Sequence, residues 1–120
     1  MTGQASNGGG TKMPADSSDA RSLDEQFSRL WENDRRTQWE RLAVIARAML
    51  NNGDTASRAE AGREAHALAG VAAMYGFSKA AGIARKLEQI FEAATPLPPD
   101  TGMLVSDLAA ALEEPYQPRG

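Results

Sequence analysis

From residue 22 to residue 112 the large apolar residues recur every three or four positions, and no β-branched run alternates every second position. That period belongs to helices burying one face, and it leaves nothing from which to build a sheet. The pattern opens with Leu23, Phe27, Leu30 and Trp31, where Ser22 and Glu25 have capping-box spacing. It fades through the polar run Glu32-Asn33-Asp34-Arg35-Arg36-Thr37, returns as Trp39, Leu42, Ile45, Ala46 and Met49, and stops at Asn51-Asn52-Gly53. An unbroken helix would carry two turns with nothing to bury, so the run predicts a break near Asp34 and a solvated charged face. Asp54 or Thr55 caps the next helix, which ends at Gly76. Ser78 caps a third, with Ile83, Leu87, Ile90, Phe91 and Ala94 on one face, and the prolines at 96, 98 and 99 stop it. Asp100 or Thr101 opens a last helix with Leu104, Val105, Leu108, Ala111 and Leu112 inward, ended by Pro115.

Connections this short join antiparallel neighbours. The expected fold class is therefore all-α: an antiparallel up-and-down four-helix bundle with a short extra N-terminal helix. Residues 1–20 have scarcely a large apolar side chain and read as a disordered tail, 21–115 as the bundle domain and 116–120 as a C-terminal tail.

A chain of 120 residues has room for one core. With no cysteine it makes no disulfide, zinc finger or thiol nucleophile. Its formal net charge is −3 with both signs interspersed, so it lacks the basic face that nucleic acid requires. No apolar run approaches the roughly 18 residues of a membrane span, and no h-region marks a signal peptide. A cytoplasmic, free-standing chain is the expectation.

The only histidine, His66, lies mid-helix in Arg63-Glu64-Ala65-His66-Ala67-Leu68-Ala69-Gly70-Val71-Ala72-Ala73-Met74-Tyr75-Gly76. Ala65, Leu68, Ala72 and Tyr75 share one stripe, read as buried. His66 stands about 100° further round, with Ala69, Gly70 and Ala73 on its own stripe. A lone histidine on a helix is most often an ordinary surface residue, and alanines are simply good helix formers. Gly70 is harder to explain, because glycine in a helix costs about 1 kcal/mol relative to alanine. The usual offset is close approach of another backbone or a ligand.

If this helix and the next form a hairpin about Gly76-Phe77, His66 lies ten residues before Gly76 and Glu88 twelve after it. At about 1.5 Å per residue the two are near the same height. Each also follows a core residue, Ala65 or Leu87. A carboxylate there can accept the proton on one imidazole nitrogen and leave the other nitrogen's lone pair outward. It also stabilises the cation formed when that nitrogen attacks an electrophile. The alternative is a solvated surface carboxylate.

Ala65-His66-Ala67-Leu68-Ala69-Gly70, then Gly76, then Leu87-Glu88 resembles a histidine-containing phosphotransfer (HPt) domain over roughly residues 25–112. The resemblance implies a four-helix bundle, without kinase activity of its own, whose exposed histidine carries a phosphoryl group between receiver-domain aspartates. On that footing His66 is the phosphoacceptor, Glu88 orients its ring, and Ala69, Gly70 and Ala73 form the docking ledge. The partners implied are response-regulator receivers or a hybrid histidine kinase. No cofactor or metal is expected in this chain, since the receiver brings the Mg²⁺, and a monomer is the expected state. The family's usual lysine three residues after the histidine is replaced by Ala69, and the serine after the glycine by Val71. Arg85, Lys86 or Lys79 can substitute for the lysine's charge; otherwise the partner supplies it or phosphohistidine is less stabilised.

The competing reading is a degenerate module of the same fold that docks on a receiver or kinase without being phosphorylated. A third is an oligomerisation bundle, which needs a leftover outer apolar stripe. Trp31 and Trp39 are the candidates for that, with Trp39 better placed in the core. One histidine without metal ligands or a paired nucleophile leaves no second group for an independent enzyme.

Overall fold

The computed structural model describes residues 17–50, 54–93 and 96–116. Four helices run through them: α1 (Ser17–Leu50), α2 (Thr55–Met74), α3 (Ser78–Glu92) and α4 (Thr101–Leu112). Helix α1 packs on α2 and α4, α3 packs on the same two, and the backbones of the diagonal pairs stand further apart. This is the four-helix bundle expected, with no strand among the described residues. Its core is built from Trp31, Leu42, Ile45, Leu68, Leu87, Phe91, Leu108 and Leu112, with a large share of alanine between them.

The helix ends follow local chemistry. Asp54 caps α2, its carboxylate accepting from the Ser57 backbone N–H at 3.0 Å and from the Ser57 hydroxyl at 2.9 Å. Past the end of α2 the chain turns at Gly76, whose φ of 84° is left-handed. There Gly76 N–H donates to the Ala73 carbonyl and Phe77 N–H to that of Ala72, the paired bonds of a Schellman turn. Ser78 does not cap α3: it is the first helical residue after Phe77, which makes no side-chain cap bond. Thr101 at the start of α4 is buried, with its hydroxyl donating to the Pro98 carbonyl at 2.7 Å.

The N-terminal third departs from expectation. Helix α1 is one unbroken helix of 34 residues, so the break near Asp34 and the extra short helix are absent. It starts at Ser17, which puts Ser22 inside the helix rather than at its cap and moves the helix start into the segment expected to be a tail. The polar run is not a uniformly solvated face, because its groups have partners in the bundle. Asp34 accepts from the Tyr75 hydroxyl at 2.6 Å, and the Arg35 guanidinium donates to the Glu114 carbonyl while lying 5.6 Å over the Trp31 ring. Just beyond it, Gln38 is buried and Arg41 pairs with Glu64 at 3.3 Å. At about 1.5 Å per residue α1 is ~51 Å long against ~30 Å for α2. Its first turns therefore outrun the bundle: Leu23, Phe27 and Leu30 are exposed, while Trp31 is wholly buried. The leftover apolar stripe is thus Leu23-Phe27-Leu30 rather than the tryptophans. Ala94, Asn51-Asn52-Gly53 and the residues before 17 and after 116 fall outside the described residues.

Trp31 closes the end of the bundle near the α2–α3 turn, with ring centroids 5.2 Å from Tyr75 and 4.6 Å from Phe77. Burial first, and the Asp34 carboxylate second, push the Tyr75 phenol up to about 12. The folded chain therefore holds the phenol protonated where the unfolded chain would release its proton. That stabilisation is complete below about pH 10 and is lost as pH rises toward 12. Tyr75→Phe is expected to lower stability by about 1 kcal/mol in urea denaturation near neutral pH, because Asp34 loses its donor. It should also flatten the fall in stability between about pH 10 and 12; an unchanged alkaline profile would contradict the bond's role.

Candidate functional site

The facing sides of α2 and α3 are lined by small residues. Helix α2 buries Ala61, Gly62, Ala65, Ala69 and Ala72, and α3 buries Ala80, Ala81 and Ala84. At Gly62 an added Cβ would stand only 3.8 Å from Phe91 Cβ and Glu92 Cγ. Backbones this close let two medium-length side chains meet across the seam. His66 Nδ1 lies 2.8 Å from Glu88 Oε2. The His66 side chain is 77% exposed and that of Glu88 21%, so the acid is held at the seam while the ring stands in solvent. An ionised carboxylate can only accept, so Nδ1 donates its proton and the neutral ring keeps a lone pair on Nε2. Nε2 has no hydrogen-bond partner among the described residues.

Ala65, Leu68, Ala72 and Tyr75 are buried as the stripe required. On the ledge beside His66, Gly70 and Ala73 are exposed, but Ala69 is buried and does not belong to it. The wheel gives the reason: Ala73 lies about 20° from His66, whereas Ala69 lies about 60° away, on the side turned to the core. Gly70 has no close neighbour within the chain, since an added Cβ meets nothing within 4 Å. Its helix-weakening cost is therefore not offset by packing inside this molecule.

The three expected cations separate. Lys86 lines a groove between α3 and α4 with Pro98 and Leu104, and Lys79 lines a crevice at the α2–α3 turn with Gly76 and Glu114. Neither groove includes His66. Arg85 is exposed on α3 one turn before Glu88. A groove of about 1020 Å³ beside the pair is lined by His66, Glu88, Gly62, Phe91 and two arginines that sequence reasoning missed, Arg58 and Arg63. Arg58 donates to the carbonyls of Ile90, Phe91 and Ala93, closing the C-terminal end of α3. That long-range role left no trace in the sequence. Arg63 did leave one, its spacing of three residues before His66.

Because the exposed His66–Glu88 pair and the open Gly70 contribute little to the core, substitutions there should leave the fold intact. Gly70→Ala is expected to raise stability by about 0.5–1 kcal/mol in denaturant titration, and His66→Gln to change it by less than about 0.5 kcal/mol. Destabilisation by Gly70→Ala would show a packing contact at that position.

Among the described residues no helix is long and apolar enough to cross a membrane. No curated protein and no solved structure matches the chain. Residues 29–115, spanning all of α2, α3 and α4 and most of α1, match the Hpt domain. With that match over most of its length, and a bundle that presents one histidine backed by an acid, the chain belongs to the Hpt domain family, the phosphotransfer modules of two-component signalling.

Proposed function

We propose that His66 accepts a phosphoryl group from the aspartyl phosphate of one receiver domain and delivers it to the aspartate of another. The observation that carries this reading is the 2.8 Å contact between Nδ1 and Glu88 on a ring that is otherwise in solvent. In the forward step the Nε2 lone pair attacks phosphorus as the aspartyl O–P bond breaks, and the bonding pair leaves with the aspartate carboxylate. The ring becomes a cation carrying its proton on Nδ1, and Glu88 stabilises that charge without taking the proton. Phosphoryl transfer of this kind depends on alignment and charge neutralisation more than on covalent help. In this reading the receiver contributes the magnesium, and the bare surface at Gly70 and Ala73 admits the receiver's active-site loops. The protein is then a phosphocarrier with no kinase activity, working as a monomer in the cytoplasm. Docking without phosphorylation is the second reading, and Ala69 in place of the family's lysine favours it.

One experiment separates the two. Incubation with a panel of phosphorylated receiver domains should place acid-labile, alkali-stable phosphate on the chain, and His66→Gln should take none. Glu88→Gln keeps the shape and loses the charge. It is expected to slow acceptance by about tenfold, the value of one charge-assisted hydrogen bond. A His66→Gln chain that binds receivers normally, beside a wild-type chain that is never labelled by any of them, would favour docking alone.

A further inference from the structure

A phosphoryl group on Nε2 adds close to two negative charges to a ring whose other nitrogen already contacts a carboxylate at 2.8 Å. Charges of one sign this close oppose formation of the product unless a cation stands near. Most basic side chains of the bundle are committed or distant. Arg41 is held by Glu64 and Arg35 by Glu32, and Arg58 is bonded to the end of α3. Lys79 and Lys86 line other grooves.

Arg63 differs from all of these. It is exposed, lies one turn before His66 on the same helix, and lines the same groove as His66 and Glu88. It has no hydrogen bond or ion pair with another described residue. Its possible competitors do not hold it: Glu64 faces Arg41, Glu88 faces His66, and Glu92 on the far wall is not paired with it. Residues three apart on a helix have Cβ atoms about 5–6 Å from each other, so an arginine side chain is long enough to bring its guanidinium to the outer nitrogen of the ring.

Resting on the reading of His66 as acceptor, we propose that Arg63 is the cation that receives the phosphoryl group on His66. Its planar fork donates two N–H groups to the phosphoryl oxygens, a geometry that a lysine meets only as a point charge. Arg63 then acts at the reacting group, not through the fold. Because it sits on the carrier, this neutralisation persists after the receiver has left.

The test uses the full chain and potassium phosphoramidate as a small phosphodonor, followed by phosphorus NMR. The Nε2 lone pair forms the new N–P bond as the donor's P–N bond breaks, and ammonia leaves. Arg63→Ala is expected to slow labelling about three- to tenfold, with Arg63→Lys, which restores the charge without the fork, recovering only part of the loss and Arg36→Ala, on α1, matching the wild type. Added salt should narrow the gap between wild type and Arg63→Ala, which a purely structural role would not do. Equal rates for wild type and Arg63→Ala would overturn the assignment while leaving His66 as acceptor, as would Arg85→Ala proving the more damaging change. A wild-type chain that takes no label would overturn the acceptor reading itself, and this one with it.

Discussion

The close approach of α2 and α3 is the constraint on which the site depends. A histidine and a glutamate reach only a few ångströms from their backbones. They meet at 2.8 Å because the seam beneath them is lined with alanine on both helices. Replacing that lining with leucine would add core area yet push the helices apart, toward the upper end of the usual 8–10 Å interaxial range. The composition of the seam thus exchanges some hydrophobic burial for short reach across the groove. The same geometry keeps Glu88 partly buried and His66 exposed, the asymmetry that the proposed acceptor role requires.

The other end of the bundle does different work. Around the α2–α3 turn, Trp31, Tyr75 and Phe77 pack together, and the Tyr75 hydroxyl reaches Asp34 on α1. This fixes α1 against the hairpin at one end, while the Arg41–Glu64 pair ties it to α2 closer to His66. The hairpin is therefore also held from outside the seam, and within the groove beside His66 it is Arg58, bonded to the end of α3, that carries the structural contacts. Gly70 can be bare because nothing in the fold leans on it.

Much of this was legible in the residue order. The helix periods gave four helices, and Gly76 marked the turn that set His66 against Glu88 by counting alone. What was not legible lay where polar residues serve tertiary roles. Asp34 and Arg35 look solvated in a one-dimensional reading, because their partners, Tyr75 and Glu114, are 41 and 79 positions away. The predicted helix break failed for that reason. Leu23, Phe27 and Leu30 follow the helical period as well as any core residues, but their helix outruns its neighbours, and periodicity does not record where a partner ends. Ala69 was misplaced by a wheel drawn too coarsely, since three residues on a helix return to within about 60° and not to the same line. Lys79 and Lys86 lie near Arg85 in sequence but line other grooves, while the groove beside His66 is lined by Arg58 and Arg63 of the other helix.

The chemistry proposed for His66 turns on which nitrogen of its ring carries the proton. Heteronuclear NMR of the chain with ¹⁵N-labelled histidine, at about pH 8 where an ordinary imidazole is neutral, reads this directly. The geometry requires the proton on Nδ1, a bare Nε2, and loss of that preference in Glu88→Ala. A proton found on Nε2, or a tautomer ratio indifferent to Glu88, would contradict the account at its centre.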